Sequence, residues 1–449
     1  MDYHNQKVLI IGMGKSGMAA AKTLAGRGAK VTLCDHQPIA IAGSGYQKLI
    51  QAGVAIVSGS YPSGNWDLVV VSPGVPLTEE PVLKALQAGK RVWGELELAY
   101  QLKSPDLSIA AVTGTNGKTT TTALLGEIFA AQGWPSAVAG NIGIPLITVV
   151  EGMSTGWVAC EVSSFQLETT QEFRPRVAGI INITPDHLDR HHTMEAYIAS
   201  KAQVFSHMQT NDILVLNYDD ELVRSLASQA KCQVVFCSQK TKIAGGVYYQ
   251  NGFIHADYCG IGDLVRFDST RLRGGHNLEN LLVATAMALA AGIDAQVLGP
   301  ALQKFAGVRH RLEEVAVKAG ALYINDSKGT NPDSTIKALQ SFSQPVILIA
   351  GGRHKGGDLT ELTELVKRQV RVLVLLGEAR NIIKQKMESL GFETIIEVQN
   401  LAEAVEVAYK NSQPGEVVLL SPACASWDMF KNYEQRGDLF CSLVRSLPD

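Results

Sequence analysis

The sequence predicts an α/β protein of three domains, and two observations carry this prediction. Apolar runs of strand length alternate with helix-like segments from one end of the chain to the other, which is typical of parallel sheets covered by helices on both faces. At 449 residues the chain is too long for one ordinary core, because domains average about 150 residues. We place the boundaries near residues 103 and 307, which gives domains of residues 1–103, 104–307 and 308–449.

The predicted strands follow the apolar runs in order along the chain. The stretch 242–272 is different, because it is rich in Gly and Tyr and has short alternating patterns. We therefore expect a small antiparallel excursion there, within the middle domain. The other predicted strands are 7–12, 30–35, 67–72, 108–114, 156–161, 177–183, 212–217, 321–326, 345–352, 371–377 and 416–421.

The composition argues against several classes of protein. Charged residues make up 18% and hydrophobic residues 46% of the chain, which is typical of a folded globular protein. A net charge of -3 gives no electrostatic reason to expect nucleic-acid binding. Seven scattered cysteines without a C-x-x-C pair predict reduced thiols, and no apolar stretch approaches the roughly 20 residues that span a membrane. With no signal-type segment before the first strand, we expect a cytoplasmic protein without membrane insertion, acting as a monomer.

The first glycine-rich loop lies in "VLIIGMGKSGMAA" (8–20). Gly12, Gly14 and Gly17 follow a predicted strand and open a helix, and Asp35 ends the next strand, which matches a dinucleotide-binding fingerprint. The turn Ser72-Pro73-Gly74 could add backbone N–H groups. The pattern suits any nucleotide diphosphate, NAD and FAD included; tight strand–helix packing is the purely structural alternative.

The second glycine-rich loop, "GTNGKT" (114–119), is the stronger phosphate signal. Backbone N–H groups at a helix N-terminus hold anionic oxygens, Lys118 reaches the outer phosphates, and the Thr119 hydroxyl can bind Mg²⁺. The loop is compact, since Val112 stands where the longer P-loop begins with Gly. A turn that merely caps a helix is the alternative.

Acidic and imidazole side chains follow two predicted strands of the middle domain that are consecutive in the sequence. Glu161 ends an apolar run, and Asp186, His187 and Asp189 come just after the next one. The carboxyl ends of parallel strands line the crevice where open α/β sheets bind substrates. These residues predict a Mg²⁺ site beside ATP, with a zinc site on the histidines of 187–192 as the alternative.

Lys201 stands on an apolar stripe within "TMEAYIASKAQVFSHM" (193–208). The stripe has helical spacing, so the lysine is expected either to point inward or to extend to the surface from the edge of the stripe. A buried ammonium tends to lose its proton or to acquire a negative partner. The apolar members of the stripe are Met194, Tyr197, Ile198, Val204, Phe205 and Met208.

Eight motifs, taken in order, resemble the Mur ligase family of peptidoglycan synthesis over the full length of the chain. The motifs "INDSKGTN" and "SPACASWDMF" are most similar to those of the D-glutamate-adding members. The resemblance implies a Rossmann-like UDP-binding domain, a central P-loop ATPase domain and a C-terminal Rossmann-like domain for the amino acid. It also implies an ADP-forming ligase that joins D-glutamate to UDP-N-acetylmuramoyl-L-alanine through an acyl phosphate. The carrying stretches are "GTNGKTTTT", "GNIGIP", "EVSSFQLE", "NITPDHLDRH", "GGHNLENLLVA", "HRLE", "INDSKGTNP" and "LSPACASWDMFKNYEQRG".

The resemblance also implies a role for each matching residue, with Lys118, His187 and a carbamylated Lys201 as the catalytic set. The predicted ATP contacts are Gly114, Thr115, Asn116, Gly117, Lys118, Thr119, Thr120, Asn280, Arg309 and Asp326. The predicted contacts to the UDP substrate are Gly14, Ser16, Asp35, Ser72, Gly74, Asn141, Ser163 and Gln166. The predicted D-glutamate contacts are Lys328, Thr330, Lys355, Ser421 and Phe430, and the predicted Mg²⁺ ligands are Thr119, Glu161, His187 and Lys201.

Other functions remain open from the residues alone. An NAD(P)-dependent oxidoreductase built on residues 1–100 leaves the Gly-Lys-Thr loop unexplained, and a non-enzymatic P-loop switch leaves the later motifs unexplained. Within the family, the alternatives are a ligase for another amino acid and a folylpolyglutamate-synthetase-like ligase, which lacks a UDP-type first domain. The chain departs from the family at His36 and Gln37, next to the expected uracil site.

Overall fold

A computed structural model describes residues 2–39, 41, 43–354 and 358–449. The chain divides into two compact units, of which one contains the first two sheets and the other contains the third. The first unit runs to Thr270 and takes in Glu279–Phe305, and the second comprises Arg271–Leu278 and Ala306–Asp449. The residue limits of the three predicted domains stay a prediction. No helix among the described residues is long and apolar enough to cross a membrane.

The first sheet has five parallel strands in the order β3-β2-β1-β4-β5. Its strand order reverses at β1, so the loops after β1 and β4 meet at the carboxyl edge of the sheet, where open α/β sheets bind ligands. The strands are β1 (Lys7–Ile11), β2 (Lys30–Asp35), β3 (Ala55–Ser58), β4 (Leu68–Val71) and β5 (Arg91–Gly94), and the helices are α1 (Lys15–Gly26), α2 (Ser44–Gln51), α3 (Glu80–Gln87) and α4 (Glu95–Leu102).

The second sheet has nine strands in the order β14-β13-β12-β11-β10-β9-β6-β8-β7. Pairing is parallel from β7 to β12, and only β12, β13 and β14 pair antiparallel, which confirms the excursion expected over 242–272. The strands are β6 (Leu107–Thr113), β7 (Ser136–Gly140), β8 (Gly156–Glu161), β9 (Val177–Ile180), β10 (Ile213–Asn217), β11 (Gln233–Ser238), β12 (Val247–Gln250), β13 (Phe253–Ala256) and β14 (Gly262–Arg266).

The helices of the second sheet carry six of the predicted site residues, which are Lys118, Thr119, Thr120, Gln166, Lys201 and Asn280. They are α5 (Lys118–Ala131), α6 (Leu146–Gly152), α7 (Ser164–Leu167), α8 (Leu188–His191), α9 (Met194–Ala202), α10 (Glu221–Ser225), α11 (Gly275–Ala291) and α12 (Ala295–Lys304). Short 3-10 turns lie at Gln203–Phe205, Leu226–Gln229, Tyr258–Gly260 and Phe267–Ser269.

The third sheet has six strands in the order β15-β16-β20-β17-β18-β19, all parallel except the β15–β16 pair. Its central strand β20 lies between β16 and β17, so the loops that follow these three strands share one edge. The strands are β15 (Glu313–Lys318), β16 (Ala321–Asn325), β17 (Val346–Gly351), β18 (Val370–Leu376), β19 (Ile395–Glu397) and β20 (Val417–Leu420), and the helices are α13 (Pro332–Leu339), α14 (Thr360–Gln369), α15 (Arg380–Ser389), α16 (Leu401–Asn411) and α17 (Tyr433–Ser446).

Candidate active site

The loops after β1 and β4 touch at the carboxyl edge of the first sheet. Gly12 has φ 102°, and a Cβ there would come within 2.6 Å of the Ser72 side chain, so only glycine fits. Ser72 Oγ donates to the Gly12 carbonyl at 3.2 Å. From the end of β2, Asp35 Oδ2 accepts the backbone N–H of Met13 at 3.0 Å. The structure thus brings the predicted UDP-substrate residues of this sheet to one edge. Asp35 stabilises the loop after β1 through its hydrogen bond to Met13.

The Gly-Lys-Thr loop connects β6 to α5 and is fastened from the neighbouring strand. Asn182 accepts the Thr115 N–H on its carbonyl at 2.9 Å and the Asn116 N–H on its Oδ1 at 2.8 Å. Lys118 Nζ donates to the carbonyls of Gly114 and Thr115 at 2.9 and 2.8 Å. Because β6 and β9 are adjacent in the sheet, this fastening fixes the loop directly over their carboxyl ends.

Asn280 lies against the same loop, as its predicted role requires. Gly117 is the N-cap of α5 with φ 83°, and a Cβ there would come within 2.0 Å of Asn280 Oδ1. Asn280 itself is buried within α11. The sequence alone did not identify Asn182, although its position after an apolar strand is the same signal that identified Glu161.

Glu161 ends β8 beside the loop with one carboxylate oxygen satisfied and one not. Its Oε1 accepts from Asn141 Nδ2 at 2.8 Å. Its Oε2 is buried and has no hydrogen-bond partner in the described part of the chain. A buried carboxylate oxygen needs a cation or a donor, and carboxylate oxygen is a ligand that Mg²⁺ accepts. Glu161 therefore fits the metal-ligand role that the sequence predicted.

His187 and His191 have different environments although they are four residues apart. His187 has φ 55°, its Nε2 lies 3.6 Å from Asp186 Oδ2, and its side chain is 42% exposed. His191 is buried, and its Nε2 lies 2.9 Å from Ser164 Oγ. Burial lowers the pKa of His191, with the Glu168 carboxylate opposing that shift. His187 is the accessible imidazole of the pair.

The zinc alternative has no ligand set within the part of the chain that the structure describes. Among the residues described, no three His, Cys, Asp or Glu side chains lie together as a metal site. The predicted Mg²⁺ set is not tested by that observation, because it combines Glu161 and His187 with Thr119 and Lys201. The side chain of Asp189, another predicted candidate, lies outside what the structure describes.

Lys201 points inward from α9, which confirms the first of the two predicted orientations. Its side chain is 1% exposed, and Nζ donates to the Gly114 carbonyl at 2.7 Å. Nζ also lies 4.5 Å from the centre of the Tyr197 ring. Burial lowers the pKa of Lys201 well below its ordinary value, and the charge of Lys118 lowers it further. The site therefore favours the neutral amine.

Ser163 and Gln166, two predicted contacts to the UDP substrate, form the capping box of α7. Ser163 Oγ accepts the Gln166 N–H at 3.3 Å, and Gln166 Oε1 accepts the Ser163 N–H at 3.0 Å. This reciprocal pair starts the helix directly after Glu161 and its strand. Asn141, the third predicted contact of this domain, donates its side-chain amide to Glu161.

In the second unit, the loops after β16 and β20 meet through Asp326 and Ser421. Ser421 Oγ donates to Asp326 Oδ2 at 2.7 Å and lies 2.9 Å from Thr335 Oγ1. Burial raises the pKa of Asp326 to about 6, and Arg311 opposes this shift. Thr335 is a partner of the predicted residues that the sequence did not single out.

The other predicted residues of this unit that the structure describes are less buried than the hydrogen-bonded group of Asp326, Ser421 and Thr335. Lys328 Nζ lies 5.5 Å from the centre of the Tyr433 ring. Thr330 and Phe430 are half-buried. Arg309 is 72% exposed and pairs with Asp438 at 2.5 Å. Lys355 lies outside the described residues.

Arg436 is a buried residue of this unit that sequence reasoning missed. It is 2% exposed; its Nε donates to Ser327 Oγ at 3.0 Å and its Nη2 to the Ser327 carbonyl at 2.8 Å. It also lies on one stripe of α17 with Phe440 and Val444, both buried. The stripe test that found Lys201 would have found this arginine too.

Comparison with known proteins matches three successive segments of the chain. Family models match residues 6–94 as the MurD-like N-terminal domain of Mur ligases, residues 112–288 as the Mur ligase middle domain, and residues 310–424 as the Mur ligase glutamate ligase domain. The chain is 50% identical to a UDP-N-acetylmuramoylalanine–D-glutamate ligase of Pelotomaculum thermopropionicum, over 99% of each chain. It is 45% identical to the enzyme of that name from Clostridioides difficile, over 100% of each chain.

A solved structure with the same fold has diverged much further in sequence. The UDP-N-acetylmuramate–alanine ligase MurC of Thermotoga maritima gives a TM-score of 0.63 at 18% identity, covering 98% of this chain and 100% of that one. At this identity the likeness concerns the fold alone.

Proposed function

This chain belongs to the Mur ligase family, and from that premise we propose that it joins D-glutamate to UDP-N-acetylmuramoyl-L-alanine while cleaving ATP to ADP and phosphate. The observation that carries the choice of amino acid is the full-length identity of 45–50% to relatives named as D-glutamate ligases. The two glycine-rich loops support the choice of nucleotides, since a UDP substrate and ATP each need a phosphate-binding loop. We also propose that the enzyme is cytoplasmic and acts as a monomer.

The reaction needs ATP because a carboxylate does not condense with an amine at neutral pH. The alanyl carboxylate attacks the γ-phosphorus of ATP, and ADP leaves. The amine of D-glutamate then attacks the acyl phosphate, and inorganic phosphate leaves as the amide forms. The protein contributes positioning and charge neutralisation. Lys118 and the N–H groups at the start of α5 are the groups that we propose stabilise charge on the transferring phosphoryl group.

Mg²⁺ is the cofactor that the residues around Glu161 fit. The Oε2 of Glu161, which is buried and has no hydrogen-bond partner among the described residues, supports this assignment. Thr119 and His187 are the other proposed ligands, together with Lys201 in a modified form. When bound, Mg²⁺ neutralises phosphate charge during transfer.

Lys201 is proposed to be N-carbamylated. A neutral amine is the form that attacks CO₂; the nitrogen then loses a proton, and the resulting carbamate carries one negative charge. Burial and the nearby charge of Lys118 both favour the neutral amine, so the environment supports the first step. The carbamate anion would place a negative charge close to Lys118, whose charge acts on Lys201.

The C-terminal domain is proposed to hold D-glutamate. Ser421 follows the central strand of that domain's sheet and is fixed by Asp326 and Thr335. The remaining proposed D-glutamate contacts are Lys328, Thr330, Lys355 and Phe430. Asn280, Arg309 and Asp326 stay proposed contacts to ATP.

An ADP-release assay tests the function. The purified chain is incubated with UDP-N-acetylmuramoyl-L-alanine, ATP, Mg²⁺ and one amino acid at a time. D-Glutamate should stimulate ADP formation, whereas L-glutamate, L-lysine and L-alanine should not. Stimulation by all four alike, or none by D-glutamate, would show that the proposed acceptor is wrong.

A further inference from the structure

Arg190, on α8 of the middle domain, reaches the turn that follows β4 of the first sheet. Its Nη1 donates to the Pro73 carbonyl at 3.4 Å and its Nη2 to the Val75 carbonyl at 3.2 Å. Nη2 also donates to Glu168 Oε2 at 2.8 Å. One guanidinium therefore joins a turn of one sheet to the carboxylate that follows α7 in another.

The same guanidinium also lies over the Phe165 ring, which contacts both histidines. Its central carbon is 4.9 Å from the centre of the Phe165 ring. The Phe165 ring meets His187 edge-on at 4.8 Å and stacks on His191 at 5.3 Å. Glu168 completes the connection, since its Oε1 lies 3.4 Å from His191 Nδ1. A displacement of Arg190 would therefore displace Phe165 and, through it, the proposed metal ligand His187.

The hydrogen bond from Arg190 to the Pro73 carbonyl also fixes the direction of the next backbone N–H, which belongs to Gly74. In a planar trans peptide the N–H points away from the C=O of the same unit, so the Gly74 N–H is directed away from Arg190. Gly74 is exposed, and Val75 N–H closes the turn on the Ser72 carbonyl at 2.9 Å. The turn thus presents a backbone donor in a set orientation, which is what a phosphate-binding turn requires.

We propose that Arg190 is a positioning residue that holds the turn 72–75 in register with His187, so that the UDP substrate is bound with its carboxylate at the phosphoryl-transfer site. The proposal rests on the function proposed above. A guanidinium suits this task because its planar fork donates to several oxygens at once, which an ammonium on a flexible stem cannot reproduce.

A second arginine also links the first sheet to the second, and it provides a matched control. Arg27 on α1 pairs with Glu151 on α6 at 2.7 Å, with side chains 39% and 37% exposed. This pair also joins an element of the first sheet to one of the second. Unlike Arg190, however, Arg27 donates to Glu151, which is not a proposed site residue.

The test compares Arg190→Ala, Arg190→Lys and Glu168→Gln with Arg27→Ala. Steady-state kinetics give kcat and the KM of each substrate, calorimetry gives the Kd of UDP-N-acetylmuramoyl-L-alanine without ATP, and thermal unfolding reports the fold. Arg190→Ala should raise the Kd and KM of the UDP substrate by about 10-fold to 100-fold, the usual cost of losing hydrogen bonds to a charged group. Arg190→Lys should be impaired in the same way, Glu168→Gln less, and the KM of ATP should change by less than about 2-fold in all of them. Arg27→Ala should match the wild type in every constant.

The outcomes separate this proposal from the function on which it rests. A wild type that forms no ADP with D-glutamate overturns the proposed function and this role together. An active wild type, with Arg190 variants whose UDP-substrate constants equal those of Arg27→Ala, overturns the role of Arg190 alone. If Arg190→Ala does not fold, Arg190→Lys and Glu168→Gln decide the question by the same constants.

Discussion

At the scale of single residues, the burial of the Lys201 amine lowers the stability of the folded state, and packing does not require an amine at this position. Lys201 Nζ donates to the Gly114 carbonyl, and that carbonyl also accepts from Lys118. An apolar side chain of similar length could fill the position without leaving the carbonyl unpaired. A buried amine that packing does not need is a candidate for chemistry.

Replacing Lys201 should separate stability from activity. Lys201→Met should be as stable as the wild type or more stable by up to about 2 kcal/mol, because it removes a costly buried amine. Its ADP formation should be nearly lost. Chemical denaturation and the ADP assay measure the two effects.

Lys201→Ala is the matched variant for the proposed carbamate. It leaves space that Met fills, so acetate should restore part of the activity in the alanine variant only. Equal rescue of both variants, or full activity of either, would contradict the role given to this lysine.

Lys118 is expected to act on the transition state rather than on the fold. Lys118→Ala should lower kcat by about 10²–10³-fold, the usual effect of removing one electrostatic contact to developing charge. Lys84, which is 70% exposed on α3, provides the control Lys84→Ala. Near wild-type turnover of a folded Lys118→Ala would make the loop purely structural.

At the scale of elements, α4 joins the first sheet to the second through two buried glutamates. Glu97 accepts the backbone N–H groups of Gln171, Glu172 and Phe173, so its charge is well satisfied. Glu95 Oε1 accepts only the Ile147 N–H, at 2.6 Å, and its Oε2 is buried without a partner among the described residues. Burial raises the pKa of Glu95 from 4.5 to about 7.

The raised pKa of Glu95 predicts a pH dependence of stability. Between about pH 4.5 and 7 the folded state keeps a proton that the unfolded state has released, so stability falls as pH rises through this window and levels off above it. Glu95→Gln should remove this pH dependence of the free energy of unfolding, and its stability should match that of the wild type near the lower end of the window. At higher pH it should be more stable by up to about 3 kcal/mol, at about 1.4 kcal/mol for each pKa unit. Urea denaturation across the window measures the difference, and an unchanged slope would contradict the assignment.

The strands that the sequence predicted and those that it missed differ in their position within the sheets. The predicted ones are long apolar runs because parallel central strands are buried on both faces. Five of the missed strands, β3, β5, β7, β15 and β19, lie at the edges of their sheets. Edge strands are covered less completely; β3, for example, has no buried residue, and neither has β15, in which charged residues flank a short Val-Ala-Val run. Their sequences therefore lack a continuous apolar signal.

At the scale of the whole molecule, a site residue could be predicted from the sequence where the residue and its contacts belong to one motif. Gly117 and Glu161 are such cases, because strand ends and loop composition locate them. The contact between Arg190 and the turn 72–75 is not, since it joins segments more than a hundred positions apart. No local pattern encodes that pairing; it follows from how the two sheets pack.

The most direct test of the account follows one oxygen atom through the reaction. UDP-N-acetylmuramoyl-L-alanine labelled with oxygen-18 in its alanyl carboxylate is incubated with the enzyme, ATP, Mg²⁺ and D-glutamate, and the inorganic phosphate is analysed by mass spectrometry. In the proposed reaction a carboxylate oxygen bonds to the γ-phosphorus and stays there when the amine displaces phosphate. The account predicts phosphate carrying one oxygen-18 atom, formed only when D-glutamate is present. Unlabelled phosphate, or labelled phosphate formed equally well with L-glutamate, would contradict it.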